Sequence, residues 1–208
     1  MMQARLSLIQ WLSPAFPTGG FAYSHGLEQA MSDGLRDADA VADWVAQVLR
    51  HGGGWTDAVL LSLVLRGGDA DALADTCRAM SGTSERLAET MDQGRALAAT
   101  LSALGHTMPP RPLPVAVGVA ARDLGLPVPE VIAHYLHAFA ANLISAATRF
   151  LPLGQAQSQA ALAGLHGLIA ELANHAAQAT ETSLETATFS ADLAAMRHET
   201  LDVRIFRT

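Results

Sequence analysis

Apolar residues recur every three to four positions along most of the chain, and no segment shows the alternating pattern of a half-buried strand. Several helix boundaries are marked as well. Asp37 or Asp39 can cap the helix that ends at glycines 52–54, and Pro129 suits a first helical turn. The pattern predicts an all-α fold of about eight to ten helices in a single domain over residues 1–208. The main helices are predicted over 4–12, 22–34, 56–66, 84–104, 115–124, 130–150 and 156–178.

Two interruptions, at 13–21 and at 151–155, are sharper than a plain helical bundle needs, because prolines and glycines cluster there. A third break, 108–114, has four prolines in seven residues and is predicted to be extended or turning. The composition is similar on both sides of this break. We therefore interpret it as a long loop within one domain.

Composition narrows the possible functions. Forty of the 208 residues are alanine, which favours helices that pack closely through small side chains. All thirteen basic residues are arginine, so the chain has no Walker A lysine and no Schiff-base lysine. The net charge of −7 argues against non-specific binding to nucleic acid, which needs a basic surface.

The cellular setting can also be predicted. Cys77 is the single cysteine, so no intrachain disulfide can form, and a reducing compartment is the simplest setting. The N-terminal sequence does not resemble a signal peptide. The most apolar stretch, 131–151, contains His134, His137 and Arg149, which favours a buried core helix over a membrane span. We expect a cytoplasmic protein that binds neither membranes nor nucleic acid.

Histidines and acids at helical spacing offer only weak candidate sites. His134 and His137 could face one way, but two imidazoles without a further ligand make a poor metal site. His25 and Glu28 are also three apart, and a hydrogen bond on a helix surface explains them better than catalysis does. The P-loop, G-x-G-x-x-G, H-E-x-x-H and G-x-S-x-G patterns do not occur. We expect no cofactor, no metal site and no catalytic residue.

Two segments have residues that helix packing alone does not explain. The turn at 13–28 interleaves Phe16, Phe21 and Tyr23 with prolines and glycines. Such a turn suits a surface read by a partner, and it suits equally an aromatic plug in the core. The C-terminal segment 191–208 ends in mixed arginine and apolar residues, which is typical of a docking segment that orders on a partner. A tail folded back on its own domain is the alternative.

Three motifs resemble the urease accessory protein UreF family. They are SPAFPTGGFAYSHGLE at 13–28, NLISAATRFLPLGQ at 142–155 and MRHETLDVRIFR at 196–207. All three occur in the family's order, and together they extend over most of the chain. The departures are few: Thr18, the loop 108–114, and Thr208 where the family more often has serine.

The resemblance implies an all-α, non-catalytic scaffold that forms a homodimer. Its implied partners are a UreD-like (also called UreH-like) accessory protein, a UreG-like GTPase that carries nickel, and apo-urease. It also implies that segment 191–208 docks on the UreD-like partner, and we expect residues 197–207 to order only there. The motif positions expected to contact partners are Pro14, Pro17, Gly19, Phe21, Tyr23, Ser24, Gly26, Glu28, Arg149, Gln155, Arg197, His198, Glu199, Arg204, Phe206 and Arg207.

Two other functions stay open at this point. One is a modulator of the GTPase, in which Arg149 or a tail arginine would stabilise the transferring phosphate. The other is a helical enzyme that acts on a small molecule. A deep polar pocket that gathers His25, Glu28 and a second histidine would favour the enzyme, whereas a flat surface would count against it.

Overall fold

The computed structural model describes residues 1–207, and within them the chain is all-α, as the sequence predicts. Eleven α-helices and two short 3-10 turns, Gly20–Ala22 and Glu181–Ser183, make up the regular structure of that range. The α-helices, numbered α1 to α11 in chain order, are Met2–Trp11, Leu27–Ser32, Ala38–His51, Gly53–Leu65, Ala70–Ala79, Ser84–Ala103, Leu113–Arg122, Val128–Phe150, Gln155–Gly164, His166–Ala176 and Phe189–His198.

Helix starts follow from the side chains that cap them. Asp37 accepts a hydrogen bond from the backbone N–H of Ala40 at 2.9 Å at the start of α3. Asp69 caps α5 and Thr83 caps α6 in the same way. These acceptors satisfy N–H groups that the first helical turn leaves without a partner.

Helix α8 lies at the centre and packs against α2, α3, α4, α9 and α10. Its inward face buries Val131, Ile132, Leu136 and Leu143, each at most 1% exposed. By length and composition α8 alone, of the helices in residues 1–207, could cross a membrane, but half of its most apolar window is buried inside the fold. The apolar residues of α8 therefore form part of the protein core.

Two predicted helices are shorter in the structure than in the sequence pattern. The helix predicted over 156–178 is divided into α9 and α10 at Leu165, where Gly164 and Gly167 flank the break. Glycine weakens a helix interior, so the chain can turn at this point. The helix predicted from residue 22 begins only at Leu27, because the residues before it adopt a different backbone conformation.

The proline-rich loop packs directly on α6. A Cβ added at Gly94 would lie 1.8 Å from the carbonyl oxygen of Arg111, so only glycine admits the loop at this distance. The N–H of Leu113 donates to the hydroxyl of Thr90 at 3.1 Å. The loop is thus held against one helix, as expected for a connection within one domain.

Candidate functional site

The three motifs, although distant in sequence, meet at one place. The N–H of Arg207 donates to the carbonyl of Ala22 at 2.7 Å. The Arg149 guanidinium donates to the carbonyl of Phe21 at 2.6 Å and lies 4.7 Å from the centre of the Phe206 ring. We call this place, formed by residues 13–28, the end of α8 and residues 196–207, the motif junction.

The N-terminal motif forms a turn with an uncommon backbone. His25 has φ of 52° and Gly26 has φ of 73°, so two successive residues are left-handed. A Cβ at Gly26 would lie 2.7 Å from the backbone nitrogen of Ala195. The start of α2 therefore approaches α11 more closely than any side chain at position 26 would allow.

Glu28 is the buried centre of the junction, with 2% of its surface exposed. Its Oε1 accepts from the N–H of Ile205 at 2.7 Å, and its Oε2 accepts from the N–H of Phe206 at 2.9 Å. The same Oε2 lies 2.9 Å from Nε2 of His198. One carboxylate of the first motif thereby satisfies two backbone donors and one side chain of the third motif.

His198 joins α2, α6 and the tail. It is fully buried, and its Nδ1 lies 2.8 Å from Oε2 of Glu85 on α6. The other oxygen of Glu85 accepts from the guanidinium of Arg204. Glu199 accepts from the N–H of Ser84 at 2.8 Å and from its hydroxyl at 2.7 Å, at the start of α6. The tail is therefore fixed by charge-assisted hydrogen bonds along its length.

A second buried polar network lies beside the junction. Arg86 pairs with Asp57 at 2.7 Å and with Glu89 at 3.2 Å. Tyr135 donates to Asp57 at 2.7 Å, and Nε2 of His25 lies 2.9 Å from Oε1 of Glu89. Helices α4, α6 and α8 are thus tied to the N-terminal turn through charges taken out of water.

The network shifts the pKa values of its members. Burial by itself raises the pKa of Glu89, but the charges of His25 and Arg86 outweigh it, so the pKa of Glu89 lies below its ordinary value. Burial and the nearby Asp57 raise the pKa of Tyr135 well above its usual range. Burial also raises the pKa of Cys77 to about 12, which makes its thiol a poor nucleophile.

Exposed apolar side chains surround the junction. Phe21, Val203 and Ile205 are 65%, 84% and 64% exposed. The outer face of α11 adds a row at helical spacing: Phe189, Leu193 and Met196. The guanidinium groups of Arg197 and Arg207 are also largely exposed beside it. Polar-rimmed apolar surface of this kind is typical of a binding site for another protein.

Known proteins of similar sequence identify the family of this chain. A family model described as UreF matches residues 35–166, which is more than half of the chain. The chain belongs to the UreF family. It is 61% identical over 210 aligned positions to the urease accessory protein UreF of Cereibacter sphaeroides strain KD131, with 100% of both chains covered. The corresponding protein of Paracoccus denitrificans is 54% identical, with 99% of this chain and 96% of the relative covered. That of Roseobacter denitrificans is 46% identical, with 99% and 94% covered.

The sixteen motif positions of this UreF-family protein fall into two structural groups. Buried residues that hold the junction together are Tyr23, Ser24, Gly26, Glu28, His198 and Phe206. Exposed or half-exposed residues are Pro14, Pro17, Gly19, Phe21, Arg149, Gln155, Arg197, Glu199, Arg204 and Arg207. Gln155 lies apart from the junction contacts described above, at the start of α9.

Two expectations from the sequence need correction. The tail residues 199–207 are already packed on their own chain, because Phe206 is 3% exposed and Glu28 holds the neighbouring N–H groups. The aromatic turn is divided between the two predicted roles, since Phe16 and Tyr23 are buried and Phe21 is exposed. Tyr23 therefore belongs to the core and is not part of an open surface.

The predicted pairing of His25 with Glu28 is also different in the structure. His25 bonds to Glu89, and Glu28 bonds to the tail. A cavity of about 150 Å³ beside α4 and α6 is lined by His25, Cys77 and Arg86, but by neither Glu28 nor a second histidine. The arrangement that would favour a small-molecule enzyme is thus not assembled there. Among residues 1–207, no three histidine, cysteine or acidic side chains are placed to hold a metal ion.

The sequence patterns did not reveal the roles of Glu85, Arg86 and Glu89. Charges at this spacing on a helix usually indicate a solvated face. Asp57 could have indicated this network, because it is the single acid in the strongly apolar α4. A buried carboxylate of this kind requires a cation from elsewhere in the fold, which is Arg86.

Proposed function

We propose that this protein is a non-catalytic scaffold that bridges a UreD/UreH-like protein and a UreG-like GTPase during nickel insertion into apo-urease. Membership of a family of urease accessory proteins supports the general role. The specific partners are those that the motif resemblance implies. Nickel is the cargo of this assembly, and the nucleotide chemistry belongs to the GTPase. The setting we propose is the cytoplasm.

The observation that carries the proposal is the construction of the motif junction. Glu28, His198 and Phe206 are buried and hold the first and third motifs together, while Phe21 and Ile205 of the same motifs are exposed. Rigid support of exposed apolar side chains lowers the entropy lost on binding. The residues of the family motifs form or support this exposed apolar surface, which suits the protein to contact with another protein.

We assign the UreD/UreH-like partner to the tail and the outer face of α11. Arg197 and Arg207 border this surface and can bind carboxylates of a partner through paired hydrogen bonds. Their present acidic neighbours, Asp33 and Asp92, lie 3.9 Å away, so these pairs are loose. Exposed ion pairs contribute little to stability, so breaking one to form a contact with a partner costs little free energy.

We also propose a homodimer built on helix surfaces rich in alanine. Helices α9 and α10 expose Ala156, Ala160, Ala163 and Ala170. Small side chains let helices from two protomers approach closely, which increases the dispersion contacts between them.

The alternative, a modulator that supplies an arginine to the GTPase, depends on which arginine is available. Arg149 is engaged by the Phe21 carbonyl and the Phe206 ring, so a phosphate would have to displace both contacts. The side chain of Arg207 is 70% exposed, and its acidic neighbour Asp92 lies 3.9 Å away. An increase in GTP turnover by the partner that Arg207→Ala removes, with the complex still intact, would favour this alternative over a pure scaffold.

Co-purification with the UreD/UreH-like protein and the GTPase tests the scaffold directly. The double variant Phe21→Ala/Ile205→Ala should lose the partner and urease activation while its melting temperature stays close to that of the wild type. Leu104→Ala provides a matched control, since Leu104 is 53% exposed and lies at the far end of α6. Full retention of both partners by the double variant would reject this surface as the binding site.

A further inference from the structure

Two histidines from different helices lie against each other on the surface of the fold. His137, near the middle of α8, and His166, the first residue of α10, have ring centres 5.4 Å apart, with an angle of 44° between the ring planes. Both residues are exposed, and within residues 1–207 neither ring takes part in a hydrogen bond or an ion pair. The nitrogens of both rings are therefore available to a ligand from solution.

The distance between the two rings fits one metal ion that is bound by both. A metal–nitrogen bond of about 2.1 Å places each ring centre roughly 3.3 Å from the ion, so two rings at about 90–110° around it have centres about 4.7–5.4 Å apart. The observed separation of 5.4 Å reaches this range without movement of either helix. Rotation about the last side-chain torsion, which is broad for histidine, selects the nitrogen that faces the ion.

His137 is also held in the chemical form that binds metals. Partial burial, followed by the neighbouring rings of His166 and His134, lowers the pKa of His137. Its imidazole is therefore neutral near neutral pH and keeps a lone pair on one nitrogen. A proton competes with a metal ion for that lone pair, so a ring that is already neutral binds the ion at a lower cost.

The two helices hold the rings in place before an ion binds. Helices α8 and α10 pack against each other, and Leu136 and Ile169, next to this part of each helix, are buried in the same core. The positions one turn away from the rings are small: Ala133 and Ala141 on α8, and Ala170 on α10. The pair is thus presented by a rigid support, and the side of the site that faces solvent has room for water ligands.

We propose that His137 and His166 form a surface site for an exchangeable divalent transition-metal ion of the Ni²⁺ and Cu²⁺ class, with water in the other coordination positions. Imidazole is a preferred ligand of these ions. A closed structural zinc site takes four protein ligands, and among residues 1–207 no three suitable side chains meet. Two fixed nitrogens still bind an ion more tightly than one histidine does, because the second nitrogen acts at a high effective concentration.

This site goes beyond the scaffold role, since it lies outside the three family motifs and needs no partner. It also differs from the pair that the sequence suggests. His134 and His137 lie three apart on one helix, whereas the structure brings His137 to a ring from another helix. The test uses the free, full-length protein, so its outcome does not depend on whether the proposed partners bind.

Calorimetric titration of the metal-free protein with NiCl₂ tests the pair, at about pH 7.5, where imidazole is mostly neutral. We expect one ion per chain in the tightest binding step, and an affinity at least tenfold lower in His137→Gln and in His166→Gln. Both side chains are exposed, so both variants should fold. His175→Gln is the matched control, because His175 is exposed at the other end of α10. Unchanged affinity in either ring variant would overturn the proposal.

His134→Gln separates the proposed pair from a pair along α8. It should bind Ni²⁺ as the wild type does, because the ring pair does not include His134. Loss of affinity in His134→Gln, with affinity retained in His166→Gln, would place the ion on α8 alone and reject the site. Electron paramagnetic resonance of the wild type with one equivalent of Cu²⁺ needs no variant. It should show coupling to two imidazole nitrogens, and coupling to a single nitrogen would contradict the proposal.

Discussion

Glu28 and His198 are 170 positions apart in the chain, and their side chains meet at 2.9 Å in a site closed to water. The contact joins the first family motif to the third and aligns the tail along α2. Because Glu28 also binds two tail N–H groups, loss of either partner leaves buried polar atoms unsatisfied. The relationship explains why a mostly exposed C-terminal segment can have a defined path.

The N-terminal turn has one exposed phenylalanine, Phe21, and one buried phenylalanine, Phe16. Substitution of the first should affect partner binding, and substitution of the second should affect the stability of the fold. Phe21→Ala should weaken binding of the UreD/UreH-like partner at least tenfold, since Phe21 is 65% exposed beside the tail. Its free energy of unfolding should change by less than about 0.5 kcal/mol. Phe16→Ala, in the core, should instead cost about 3–5 kcal/mol in urea unfolding. Equal destabilisation by both changes would show that the whole turn is a core plug.

The tail offers a similar pair at adjacent positions. Phe206→Ala should free residues 199–207, because it removes a buried ring and the stacking surface of Arg149. Ile205→Ala should leave the tail protected in hydrogen exchange and lower only partner affinity, because its side chain is 64% exposed. A tail that remains equally protected in both variants would mean that Phe206 does not anchor it.

Gly26→Ala should destabilise the protein through the contact with α11. A left-handed alanine costs about 1–2 kcal/mol by itself, and the 2.7 Å approach to the Ala195 nitrogen adds to this cost. Gly125→Ala is the control, since Gly125 has φ of 64° and open space around its Cβ position. Chemical denaturation should show a larger loss for Gly26→Ala. Equal losses would indicate that only the backbone conformation matters.

Glu89→Gln should change how the stability of the protein depends on pH. Glu89 has a lowered pKa when folded, so its ion pairs stabilise the fold above its ordinary value of 4.5 and lose that effect as the pH falls below it. The substitution should cost about 3–5 kcal/mol near neutral pH, because it leaves buried Arg86 with one carboxylate fewer. The difference from the wild type should narrow below about pH 4.5 in urea unfolding at several pH values. Glu171→Gln, half exposed, should show neither effect, and a constant difference across the pH range would contradict the role of Glu89.

Sedimentation of the free protein at micromolar concentration tests the proposed dimer. It should give about twice the 21.8 kDa of one chain. Ala163→Arg, on the exposed face of α9, should shift the protein toward the monomer because a long charged side chain prevents close helix approach. A wild-type monomer, with and without the UreD/UreH-like partner, would reject the homodimer.

The sequence by itself determined the all-α class and most helix starts. Helical periodicity, caps such as Asp37 and breakers such as the glycines at 52–54 act over one or two turns, so their physics is contained in neighbouring residues. It also singled out the turn at 13–28 and the tail, because neither segment fits a simple amphipathic helix. Motif resemblance then gave the family, which the relatives confirm.

Only the tertiary structure decided how those two segments are used. An alternation of arginine and apolar residues looks the same whether a tail docks on a partner or folds back. What selects between these outcomes is a buried acceptor such as Glu28, and its burial depends on the close approach of α2 and α11 at Gly26. The same holds for Asp57 and Arg86, since a charge on a helix does not specify its distant counter-ion. Long-range pairing of buried charges is set by how whole helices pack, and no local pattern encodes it.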